Sequence, residues 1–111
     1  MKDRRKVIVS TTPEVPGKQV KEILGIVKGN TVRVRNIGRD VGASLKHLVG
    51  GEVKTYSEMT SHAREEAFNR MVNEAIKLGA DAIVGARFST SVVVQGAAEM
   101  LAYGTAVKLK K

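Results

Sequence analysis

The chain has 111 residues, 42% hydrophobic and 27% charged, which fits one compact domain and excludes wholesale disorder. It has no cysteine, which excludes a disulfide scaffold, a thiolate zinc site, an iron–sulfur cluster and a cysteine nucleophile. The net charge of +8 is concentrated at the ends, with +6 in residues 1–6 and 108–111 and only +2 in the body, so the body is no ordinary nucleic-acid-binding face.

Val7 to Thr12 is a short β-branched run that predicts a first strand, and Pro13, Pro16 and Gly17 then mark a turn. Gln19 to Val27 predicts a second strand. Gly29-Asn30 suits a two-residue hairpin turn, because glycine takes positive φ cheaply and asparagine tolerates it. Thr31 to Arg35 alternates, which predicts a half-buried strand with Val32 and Val34 on one side and a basic, wet face carrying Arg33 and Arg35. Asp40 to Val49 predicts a short helix, with Asp40 as N-cap, Val41, Leu45, Leu48 and Val49 on one side, and Gly50-Gly51 as its stop.

Thr55 to Leu78 predicts a long helix. Thr55 and Glu58 form a capping-box pattern. Met59, Ala63, Ala67, Met71, Ala75 and Leu78 make one stripe, widened by Phe68, Val72 and Ile76, and the alanines allow close approach to a sheet. Glu66 and Arg70 stand in the favourable i, i+4 order, and Gly79 supplies the left-handed terminating residue. Asp81 to Val94 and Met100 to Leu109 predict a long hairpin with its turn at Gln95 to Ala98. Both faces of the last strand are apolar or small: Met100, Ala102, Gly104 and Ala106 on one side, Leu101, Tyr103, Thr105 and Val107 on the other. Two helices cannot cover that much surface, so the pattern predicts homo-oligomerisation, and a charge at Ala102 or Ala106 is expected to weaken assembly or solubility.

Several runs in order across residues 7–107 resemble the YbjQ-like family, small proteins that carry a heavy-metal-binding label: VSTTPEVPGKQV, ILGIVKGNTV, RNIGRDVGASLKHLVGGEVKTY, AREEAFNRM, LGADAIVGARF and YGTAV. The resemblance implies an α+β subunit of the dodecin-like class. There an antiparallel sheet is packed by one long and one short helix, and the subunits assemble as a ring of five. The family has no established activity, so the resemblance names no reaction.

The residues themselves give the metal label little support. Heavy metals favour thiolates and imidazoles, and this chain has only His47 and His62. His62 and Glu66 stand at i, i+4 and are the weak candidates for a metal pair; a solvated helix face is the plainer reading. No G-x-S-x-G elbow, glycine-rich phosphate loop or paired carboxylates occur, so no catalytic residue is assigned and an enzyme is not expected. Asn36, Arg39 and Asp40 form the best polar constellation, able to hold a small anion at a helix opening or simply to cap it. Thr11 and Thr12, beside Ser10, are a second polar cluster, hydrogen-bonding within the sheet or to a ligand. Glu99 reads as a turn residue, or as a partner for Arg33, Arg35 or Arg87 across subunits.

The sequence therefore reads as a single domain over 1–111, with an ordered core at about 7–107 and basic termini. No apolar run approaches the ~20 residues of a membrane span, and the N-terminus lacks the apolar stretch of a signal peptide, so a soluble, cytoplasmic protein is expected. Its expected role is a homo-oligomeric, non-enzymatic scaffold or a module for a small ligand or metal, with itself as the main partner and no cofactor identifiable. The first alternative is a polyanion or nucleic-acid binder acting through basic tails multiplied by a ring. The second is an enzyme with its site at subunit junctions.

Overall fold

The computed structural model describes residues 6–34, 51–94 and 97–111. In chain order they form β1 (Ile8–Val9), β2 (Val20–Val34), α1 (Gly51–Leu78), β3 (Ala82–Val94) and β4 (Ala97–Leu109). The four strands make one sheet in the order β1-β3-β4-β2, and α1 lies on one face of it, mainly over β2 and β4. The fold is α+β, as expected, but the sheet is mixed: β1 runs parallel to β3, while β3–β4 and β4–β2 are antiparallel. The parallel pair is only two residues long, so nothing in its sequence distinguishes it from an antiparallel edge. The short helix expected at 40–49 lies outside the described residues.

The helix obeys its pattern. Ala63, Ala67, Met71 and Ala75 are all buried to within 1% and form the core with Val27, Ile83, Met100, Ala102 and Ala106. Phe68, half-buried, stacks on Phe88 of β3 with ring centroids 6.3 Å apart. Burial of each large side chain here, such as Met71 or Ile83, contributes about 1.5–3 kcal/mol. The C-terminus is a Schellman motif: the Gly79 N–H donates to Ile76 O at 2.9 Å and the Ala80 N–H to Ala75 O at 3.0 Å, with Gly79 at φ +79°. Two details differ from expectation. The helix already runs from Gly51, so Thr55 is interior rather than a cap. Leu78, the last member of the stripe, is half-exposed.

The larger correction concerns Gly29 and Asn30. They are not a hairpin turn; β2 passes straight through them, with Gly29 opposite Ala102 and Asn30 opposite Leu101 on β4. Glycine is required there by proximity. A Cβ at residue 29 would lie 2.5 Å from Met71 N and 2.6 Å from Arg70 Cβ, and would collide with Ala67 O. The helix backbone therefore rests directly on the strand. Alongside, Thr31 is buried and its hydroxyl donates to Ala63 O at 3.0 Å, while Val32 is half-exposed on the other side of the sheet. This reverses the facing expected for Val32.

The hairpin of β3 and β4 is as expected, but tighter. Ala97 already pairs with Val94, so Ala97 and Ala98 are strand residues; Gln95 and Gly96 lie outside the described set. Met100, Ala102, Gly104 and Ala106 are buried within the chain's own core. A charge at Ala102 or Ala106 would thus disrupt the fold of the chain itself and says nothing specific about assembly.

Among the described residues the second sheet face is covered at one end. There the segment between β1 and β2 turns at Pro16-Gly17, with Lys18 N–H donating to Val15 O at 3.0 Å. This seats Val15 on Ala82, Val84, Val107 and Leu109. Among the described residues nothing covers the rest of that face.

Candidate functional site

Among the expected site residues, the structure describes Thr11, Thr12, His62 and Glu66; Asn36, Arg39, Asp40 and His47 lie outside the described residues. Thr11 and Thr12 sit in the bend after β1, Thr12 bonding through its side chain and main chain and Thr11 through its main-chain oxygen. Thr12 N–H donates to Ser10 Oγ at 3.0 Å, and Thr12 Oγ1 donates to Glu14 O. Thr12 O accepts from Gly85 N–H at 2.9 Å, and Thr11 O accepts from Arg87 Nη1 at 2.8 Å. This network fixes the loop against β3, which is the structural role of a hydroxyl-rich bend.

His62 is exposed on α1. Glu66 Oε2 accepts from the Arg70 guanidinium at 2.6 Å, a charge-assisted contact that competes with any metal for that carboxylate. No group of three or more His, Asp or Glu side chains converges among the described residues. With no thiolate in the chain and no converging imidazoles among the described residues, those residues do not fit a heavy-metal site. Glu99 is likewise not in a turn. It lies within β4 opposite Val32, and its Oε2 accepts from Asn30 Nδ2 at 3.1 Å.

Two features escaped the sequence. The first is at the outer edge of β2, where α1 reaches over the strand. Glu74 Oε1 accepts the main-chain N–H of Lys28 at 2.9 Å, and Arg70 Nη1 donates to Asn30 O at 2.7 Å. A main-chain amide has one hydrogen, so Lys28 N–H points away from β4, and Asn30, two residues on, shares that outward direction. Two helix side chains thereby occupy edge groups that another strand would use. Arg70 is held in place by Glu66, so the i, i+4 pair visible in the sequence has a tertiary purpose.

The second feature is at the opposite end of the sheet, where Lys6, Lys18, Lys110 and Lys111 meet around a cleft of about 290 Å³ that also includes Asp81 and Leu109. The sequence places these lysines in three separate segments. Only the pairing of β1 with β3, the turn at Val15–Lys18 and the return of β4 bring them together. Lys110 is no part of a loose tail, since its N–H donates to Gln19 O at 2.8 Å.

The chain matches, over residues 7–110, the YbjQ family model described as "Putative heavy-metal-binding". It is 57% identical over 106 residues to a UPF0145 protein of Archaeoglobus fulgidus, covering 96% of this chain and 98% of that one. It is 60% identical over 103 residues to a UPF0145 protein of Methanoculleus marisnigri, covering 93% and 96%. A crystal structure of a DUF74-family protein from Pediococcus pentosaceus superimposes with a TM-score of 0.56 at 18% identity, covering 94% of this chain and 98% of that one, a likeness of fold. Matched along nearly its whole length by that model and by these relatives, the chain belongs to the YbjQ-like UPF0145 family.

Proposed function

We propose that the protein acts as a homo-oligomeric, non-enzymatic scaffold or small-ligand-binding module of the cytoplasm, assembled as a ring. The number five follows from the family resemblance. The observation that carries the reading is the uncovered sheet face. Ile23, Ile26 and Val32 on β2 are 68%, 77% and 52% exposed, and Tyr103 on the adjacent β4 is exposed beside them. These exposed apolar side chains share the face with Lys28, Asn30 and Glu99, a mixed surface whose apolar part is costly to leave in water and which burial against a second copy would remove from it. From Arg87 to Val94 the outer edge of β3 also has no neighbouring strand among the described residues, which leaves a further surface for assembly. The interior offers no constellation for catalysis among the described residues, so the reading assigns binding rather than reaction.

Native mass spectrometry of gently purified protein tests this directly. The expected result is a single multiple of the 12.0 kDa chain mass, with any retained ligand visible as an increment. A monomer at micromolar concentration overturns the assembly.

A further inference from the structure

Two clefts of similar size open on the described surface, and they differ in how their charges are committed. The one beside β2 holds Lys28, Arg70 and Lys77, but Arg70 is tied to Glu66 and Asn30, and Glu74 stands among them. The other, at the far end of the sheet, holds Lys6, Lys18, Lys110 and Lys111 against one carboxylate side chain, Asp81. That carboxylate already accepts Leu109 N–H at 2.9 Å through Oδ2. None of the four lysines has an ion-pair partner among the described residues.

The backbone under this cleft is fixed from three sides. Ile8 N–H donates to Asp81 O at 3.2 Å, Lys18 N–H to Val15 O at 3.0 Å, and Lys110 N–H to Gln19 O at 2.8 Å. A cleft lined by four lysine side chains and one carboxylate side chain presents net positive potential, which attracts a polyvalent anion. Each ammonium offers three donors on a flexible stem and binds as a point charge, which suits tetrahedral phosphates better than a planar carboxylate fork. The cleft has room for a short chain of phosphates and is too small to seat a folded polymer.

We propose that this lysine cleft binds a short oligophosphate, either free or as the tail of a nucleotide. The site is separate from the open sheet face and is independent of the number of subunits. It also differs from binding by free basic tails, because Lys18 is essential to it and residues 110–111 act from a position pinned to β2.

The test is calorimetric titration with sodium tripolyphosphate at low ionic strength, repeated with ATP. Binding of both with equal affinity assigns recognition to the phosphates alone; tighter ATP binding adds a contact to the nucleoside. Replacing Lys18, Lys110 and Lys111 by glutamine should weaken tripolyphosphate by about tenfold or more, since three direct ammonium contacts are lost. Replacing Lys21, Arg64 and Lys77 by glutamine gives the same net charge and should change affinity by less than about twofold. The single variant Lys18→Glu, at an exposed side chain whose turn bond is made by the main chain, should also weaken binding while melting like the parent protein. Equal weakening by the two triple variants overturns the proposal, because charge would then act without a site. So does the absence of tripolyphosphate binding at about 1 mM, and so does binding of a mixed-sequence single-stranded oligonucleotide without binding of tripolyphosphate.

Discussion

Glu74 on the helix accepts the main-chain N–H of Lys28 on the strand, at 2.9 Å, so a side chain occupies a position where another strand would bond. Edge strands with free amides and carbonyls are templates for unwanted pairing, and proteins commonly block them. Here the block comes from the element that also buries the strand's inner face. Glu74→Ala should therefore speed hydrogen exchange at the Lys28 amide and cost about 1 kcal/mol in urea unfolding. The double variant Arg70→Ala/Glu74→Ala should in addition raise light scattering on storage. Unchanged exchange at Lys28 would show that the contact does not persist in solution.

Gly29→Ala should be among the most damaging small substitutions in the chain. The added methyl meets helix backbone at Ala67 and Met71, which cannot rotate away. Overpacking costs of this kind run from about 1 to 3 kcal/mol or more. A lowered urea midpoint with an unchanged slope is the expected signature. A hairpin-turn role for this residue predicts, instead, that alanine perturbs only the local strand.

The facing of the helix is tested by contrast. Met71→Ala removes a fully buried side chain and should cost about 2–5 kcal/mol. Leu78→Ala, at a position 47% exposed, should cost less than about 1 kcal/mol although both residues sit on the same apolar stripe. Comparable losses at the two positions would mean that the stripe is buried to its end.

Assembly is best probed from the open face. Ile26→Glu and Val32→Glu place charges where the subunit itself leaves the side chain exposed, so each should keep the circular dichroism of the fold while reducing the native mass. Ala102→Glu, by comparison, should unfold the subunit. Variants of Ile26 and Val32 that stay fully assembled would place the subunit contact elsewhere.

Copper and zinc should bind no more tightly than micromolar at neutral pH, and His62→Ala should change nothing. Sub-micromolar binding lost in that variant would restore the metal reading.

The elements whose information is local were legible in the sequence. The helix announced itself through Ala63, Ala67, Met71 and Ala75, because a 3.6-residue period is written within the element that obeys it. Pro16-Gly17 was equally plain as a turn. Gly29-Asn30 was not, since a glycine demanded by a turn and one demanded by a neighbour's backbone look identical until the neighbour is known. The facing of Thr31 and Val32 failed for a related reason. Valine and threonine have nearly the same shape, and Thr31 becomes a core residue only through the Ala63 carbonyl that receives its hydroxyl. The lysine cleft joins residues from 6 to 111, so no window along the sequence contains it. The Asn36, Arg39 and Asp40 constellation was visible as a pattern, but it falls beyond the described residues.

The sheet order carries a consequence for timing. β4 is the last strand in the chain, yet it lies between β2 and β3 and pairs with both. Among the described residues β2 has no other strand neighbour, so until Ala97–Leu109 appears the main-chain groups it turns toward β4 have no strand to bond. The register from Val20 to Leu109 spans almost the whole molecule. Contacts this distant in sequence form slowly, because loop closure must precede the reward. β4 therefore completes the sheet last, entering between β2 and β3 and joining the two strands that have no pairing with each other.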